Sequence, residues 1–261
     1  MKKYALTGET IKEYDKTLFR IIALKSFSDV KMGTLGGFIE KEDNLSQEGD
    51  CWVYGDAKVF EDAQVYNNAK VCGDAKVFGY AQVFDNAQVF DNAIVFDNVK
   101  VFDNAQVFDN AKMYHHAKVF DYAQVFINAQ VYGYAQVYGD ALVHGDTRIC
   151  CEAQVYGKAK VYDNALIYGK AKICDKAIVN NSAQITGDAI IKKLDDYIVF
   201  KNFWSSGRIF TWTKSNNMWK VGCFYGTGDE LIKKAYQDSQ VSGDNYKRVV
   251  EYVKSCFPTE K

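Results

Sequence analysis

No stretch of 18 or more residues in this 261-residue chain is continuously apolar, so no transmembrane helix is expected. The opening, MKKYALTGET, lacks the apolar core of a secretory signal. Proline is nearly absent, with Pro258 alone near the end. The seven cysteines show no C-x-x-C spacing, which excludes a disulfide framework or a zinc site of the usual kind. The formal net charge is −1, so bulk charge advertises neither nucleic acid nor a membrane surface. The glycine-rich stretch Gly33-Thr34-Leu35-Gly36-Gly37 is followed by no G-K-[ST] and opens no helix, so its glycines read as turn residues rather than a phosphate loop. Only three histidines, His115, His116 and His144, are available as general bases. A cytoplasmic protein without a cofactor or metal is the expectation.

Aromatic residues, by contrast, make up 15% of the chain, and most lie in one uninterrupted repeat. From Trp52 to Ile191 the sequence runs VYGDAK, VFEDAQ, VYNNAK and onward to ITGDAI. An aliphatic residue occupies every sixth position from Val53 to Ile191, and the fifth position of each unit is Ala, with Val99 and Thr147 as exceptions. A period of six keeps no single stripe on a helix of 3.6 residues per turn. In a strand, side chains alternate between faces. Ala75 and Val77 then share one face, and Lys76 and Phe78 share the other. The next two residues, Gly-Tyr or Asp-Asn, are turn chemistry. A lone strand of this length cannot bury its Ala/Val face, but stacked units close a continuous thin core.

This pattern closely resembles the hexapeptide-repeat left-handed β-helix family. The resemblance implies the left hand and three units per triangular coil of 18 residues. The 24 aliphatic positions then make eight coils. At roughly 4.8 Å per coil the prism is on the order of 38 Å long. One feature departs from the family motif. The residue after the aliphatic is usually small there, whereas here it is Phe or Tyr except at Cys72, His144, Cys150, Cys174, Asn180 and Thr186. Rings 18 apart are expected to stack in outward columns: Phe60, Phe78 and Phe96; Phe84, Phe102 and Phe120; Phe90, Phe108 and Phe126.

Three regions follow: 1–51, a cap and irregular first coil; 52–191, the repeat; 192–261, a small α+β domain. In the first, Lys3–Leu6 and Thr17–Ala23 read as strands joined by a turn at Tyr14-Asp15-Lys16. In the last, Tyr197–Phe200, Arg208–Thr213 and Met218–Phe224 read as three strands. Thr227-Gly228-Asp229-Glu230 fits a capping box, and a second helix is expected from about Asp244 to Cys256. Trp204, Trp212 and Trp219 read as core or interface. The resemblance widens over these flanks, through Tyr4-Ala5-Leu6-Thr7, Leu18-Phe19-Arg20-Ile21, Leu35-Gly36-Gly37-Phe38-Ile39-Glu40, Asn44-Leu45-Ser46 and Val221-Gly222-Cys223-Phe224-Tyr225-Gly226-Thr227. These look like a bacterial and prophage family of hexapeptide-repeat proteins whose members are often labelled transferases.

Three function classes follow. The first is a non-enzymatic structural or protein-binding module. Its candidate surface is Phe78, Phe84, Phe90, Phe96, Phe102, Phe108, Phe120 and Phe126, because rings on every side exceed the few hundred square ångströms of apolar patch usual on a monomer. The partner would be a second copy, a trimer being usual for this fold by resemblance, or another protein; the prophage likeness implies a protein that blocks a host factor. The second class, also by resemblance, is an acyltransferase using acetyl-coenzyme A between prisms. His115 or His116 would be its base, although no loop interrupts the coils to build a cleft. The third is carbohydrate binding through rings such as Tyr156 and Tyr162. Columns of Asp85, Asp103 and Asp121 and of Asp91 and Asp109 read as corner residues rather than a cation cage. Acid fills the middle of the repeat while lysines such as Lys158, Lys160, Lys170, Lys172 and Lys176 fill its last third, which argues against mimicry of DNA.

Overall fold

The computed structural model describes residues 2–257. Each hexapeptide supplies one two-residue rung and one corner. At Lys76-Val77 the valine is buried and the lysine half-exposed, and the same pairing recurs along the repeat. The rungs stack in parallel with an offset of 18 residues, as in Lys58 opposite Lys76 and Val59 opposite Val77. Each coil hydrogen-bonds to the next through its backbone, for example from the Lys58 N–H to the Ala75 carbonyl at 2.9 Å. Three sheets result. Face 1 carries the column starting at Phe60, face 2 the column starting at Tyr66, and face 3 the column starting at Tyr54.

The core is a stack of Ala and Val, nearly all fully buried. Fully burying one Val contributes about 1.5–3 kcal/mol, so eight coils offset the ordering of a thin prism that no single coil could hold. Corners turn through the left-handed region: every sixth residue from Gly55 to Gly187 has a positive φ. That conformation explains the Gly, Asp and Asn at these positions.

The first coil is more regular than expected. Leu35–Ile39 forms a strand that pairs in parallel with Lys58-Val59, and Leu45 bridges to Val65, so face 1 gains a ninth rung. Asn44 closes this end. Its amide donates to the carbonyls of Glu61 and Ala63, both at 2.9 Å, and accepts from the Lys41 N–H at 2.9 Å. Lys3, 1% exposed, donates to the carbonyls of Glu48, Gly49 and Cys51.

The N-terminal hairpin is longer than the sequence suggests, Tyr4–Glu13 against Lys16–Ala23. Its tip folds over the outside of face 1. Tyr14 packs on Phe60 and Phe78, each at 6.0 Å, and Leu18, Phe38 and Phe60 form a small buried cluster. Glu13 pairs with Lys58 and Lys76.

The C-terminal region caps the other end with four antiparallel strands rather than three. Gly222, at φ 55, breaks the expected Met218–Phe224 strand, and Phe224–Gly226 turns back beside Met218–Val221. The capping box forms: the Glu230 N–H donates to Thr227 Oγ1, and the Thr227 N–H donates to Glu230 Oε2 at 2.8 Å. It opens helix α1 (Gly228–Asp238). Helix α2 (Gln240–Cys256) starts earlier than expected because Ser239 caps it. The helices and sheet bury Trp212 and Trp219, with Trp204 half-buried against them. Side chains of this sheet close the last coil: Thr211 accepts from the Gln184 N–H at 3.0 Å and Ser215 from the Ile190 N–H at 2.7 Å. Pro258 lies outside the described residues.

Candidate interaction surface on the aromatic ladders

The rings stack as columns. Phe60, Phe78, Phe96, Tyr114 and Tyr132 follow one another on face 1 with centroids 4.7–5.3 Å apart. Tyr66, Phe84, Phe102, Phe120, Tyr138 and Tyr156 do so on face 2 at 4.8–5.0 Å. Face 3 holds Phe90, Phe108, Phe126, His144 and Tyr162 at 4.7–5.1 Å. Stacking in register follows from the 18-residue coil and the single outward side-chain direction of each strand position. Cys72, Cys150 and Cys174 occupy the same columns.

The eight phenylalanines of the predicted surface lie in these three columns, each half-buried, with rings above and below it except at Phe90, which follows Cys72. The columns therefore hide part of the area that the sequence alone would expose. Face 1 loses more, because Phe60 is fully buried beneath the hairpin.

The faces differ in charge. On face 3 the outward positions of four successive coils are Gln88 and Phe90, Gln106 and Phe108, Gln124 and Phe126, and Leu142 and His144. None carries a formal charge. Face 1 has Lys112 and Arg148 at similar levels, and face 2 has Lys100 and Lys118. His144 is sandwiched between Phe126 and Tyr162, and burial there lowers its pKa. Beside Phe126 stands Ile127, the one β-branched residue among the left-handed corners, at φ 61 and 39% exposed. A β-branched residue in this region is strained. It sits on the edge of the uncharged face, where Gly, Asp or Asn would fit the backbone better. The sequence carried that signal, an Ile in a slot of turn residues, but the repeat reading passed over it.

His115 and His116 share the corner between faces 1 and 2. His116 stacks on Tyr134 at 4.8 Å, and His115 meets Tyr114 edge-on at 5.0 Å. Among the described residues neither ring has a hydrogen-bonded carboxylate partner, the orienting group a general base ordinarily needs. The corner acids act on the backbone. The Asp97, Asp103, Asp109 and Asp121 carboxylates accept N–H groups of His115, Asp121, Ile127 and Gly139 in the next coil, at 2.9–3.3 Å. Among the described residues no cluster of three or more His, Cys, Asp or Glu is arranged to hold a metal ion. Two clefts lie off the repeat in the C-terminal domain. One, about 320 Å³, is lined by Arg208, Lys234 and Tyr246; the other, about 440 Å³, by Trp212, Trp219 and Lys254.

A family model described as the YdcK beta solenoid repeat matches residues 135–150. Over 37 residues the chain is 54% identical to a protein of Escherichia coli (strain K12) named "Uncharacterized acetyltransferase YdcK". That match covers 14% of this chain and 11% of the E. coli protein. The repeat region is a parallel β-solenoid of hexapeptide units, similar over these short stretches to the YdcK solenoid repeat, and the match spans about a tenth of the length of the curated relative.

Proposed function

We propose that this chain is a structural or binding module whose prism presents aromatic columns for protein contact, and that it associates with copies of itself. The observation that carries this reading is the uncharged, ring-bearing flank of face 3, four coils long and bordered by a strained, outward Ile127. A β-solenoid ordered by backbone bonds between coils holds such a flank rigid, so binding costs little ordering of side chains already stacked. Sedimentation velocity across a micromolar concentration series tests it. Self-association is expected; a single species of 29.6 kDa at every concentration overturns it.

A second reading, acetyl transfer from acetyl-coenzyme A, is favoured by the name of the E. coli relative. It would place His115 or His116 at a seam between prisms, with the neighbouring copy supplying the missing orienting group. Calorimetric titration with acetyl-coenzyme A separates the two: saturable binding lost in His116→Ala supports the enzyme reading, and no heat of binding refutes it. Phage origin and a host-factor target remain part of the first reading only as the kind of partner a lysate capture would reveal.

A further inference from the structure

The cleft of about 320 Å³ in the C-terminal domain lies off the repeat, and neither reading above uses it. Val221, Phe224, Leu231 and Ala235 give it an apolar wall. Arg208 and Lys234 also line it, both exposed, and Asp238 is the one acid beside them. Two positive charges therefore stand against one negative. Among the described residues neither Arg208 nor Lys234 forms a salt bridge.

Two features aim donors into this space. The first is Gly222, which turns at φ 55. Any side chain there would collide with the Arg208 guanidinium. Glycine thus lets Arg208 lie against the backbone beside the cleft, a close approach that no other residue allows. The second is Tyr246 on α2, 7% exposed. Its hydroxyl accepts from the Asn202 amide at 3.1 Å. Asn202, 4% exposed, cannot take the tyrosine proton in return. Its Oδ1 already accepts from the Ser205 N–H at 3.0 Å and from the Ser205 hydroxyl at 3.1 Å. Burial raises the pKa of the Tyr246 hydroxyl, so the proton stays in place at neutral pH. Among the described residues no group accepts it. A buried donor without an acceptor is costly, and an oxyanion in the cleft would supply one.

We propose that this cleft binds the oxyanion group of a small organic molecule, a carboxylate or a phosphate, through the Arg208 guanidinium and the Tyr246 hydroxyl, with Lys234 adding charge at the rim. The planar fork of arginine suits either group. The volume lies at the small end of ligand sites, which suits a small molecule rather than a polymer. Asp238 favours a group of low charge over a polyphosphate. The apolar wall receives the carbon body of the ligand. The site is complete within one chain and does not depend on self-association.

The test is amide NMR of the full chain, titrated separately with inorganic phosphate and with acetate to about 20 mM. Saturable shifts at Cys223, Leu231 and Tyr246 are expected, and the tighter probe tells phosphate from carboxylate. Tyr246→Phe keeps the ring and should weaken binding about tenfold. Arg208→Gln should weaken it at least as much, and it breaks no ion pair within the chain. Lys247→Gln, an exposed position of α2 outside the lining, should bind as the wild type does. The thermal midpoint of each variant shows that it is folded. No saturable shift with either probe overturns the proposal, as does unchanged binding in folded Tyr246→Phe or Arg208→Gln. An equal loss in Lys247→Gln marks general attraction to a basic surface and also overturns it.

Discussion

Replacing Ile127 by Asn should stabilise the monomer. Ile127 holds φ 61, and the left-handed conformation costs an ordinary L-residue about 1–2 kcal/mol. Asn avoids much of that cost through its short polar side chain and already occupies equivalent corners at Asn67, φ 58, and Asn181, φ 53. The substitution keeps the backbone bonds of this corner. The Ile127 N–H donates to Asp109 Oδ2 at 3.1 Å, and its carbonyl accepts from the Asn110 N–H at 2.8 Å. What is lost is the apolar contact of a side chain already 39% exposed. The net gain is about 1 kcal/mol, or about 2–4 °C in the midpoint for a chain of this size. Scanning calorimetry on dilute protein measures it, with Ile127→Ala as the control that keeps a Cβ in the strained region and gains less. A lower midpoint for Ile127→Asn would refute the argument that this corner stores strain, and with it the inference that Ile127 is kept for contact.

Three further outcomes follow from named contacts. Phe102 stacks between Phe84 and Phe120 at 5.0 and 4.9 Å, so Phe102→Ala should cost about 2–3 kcal/mol by denaturant titration. Asn44→Ala strips the carbonyls of Glu61 and Ala63 of their donor and should cost about 2–3 kcal/mol, seen as increased hydrogen exchange in the first coil. Lys70 and Tyr54 hold the Asp29 carboxyl down to about 2 from its ordinary 3.8. Its contribution is thus complete above about pH 4 and lost as the pH falls toward 2. Proteolysis around residue 29 by an acid protease should rise across that window, and Asp29→Asn should be cleaved equally fast throughout.

Much of this was legible because the repeat is a local signal. Val53 to Ile191 fixes the register, Ala fixes the inner corners, and a spacing of 18 predicts which rings stack. The capping box at Thr227 and Glu230 was legible for the same reason. The strands of the hairpin and its turn at Tyr14-Asp15-Lys16 were legible too, but not where its tip would dock: nothing local tells Tyr14 that it will lie on Phe60 and Phe78 of the repeat. Gly222 also escaped, since a lone glycine inside an apolar run can continue a strand or, as here at φ 55, reverse it. The candidate surface was legible as residues but not as a face. The half-burial of each ring by its neighbours, and the contrast between the four uncharged coils of face 3 from Gln88 to His144 and the lysine- and arginine-bearing levels beside them on faces 1 and 2, emerge once coils are stacked.

The most direct test is light scattering of the purified chain over a concentration series, beside a variant with Phe108→Glu and Phe126→Glu. A covered face 3 predicts a mass that climbs above 29.6 kDa with concentration and a variant that stays at the monomer mass while remaining folded. A wild-type chain at the monomer mass throughout, or a variant that associates as the wild type does, would contradict it.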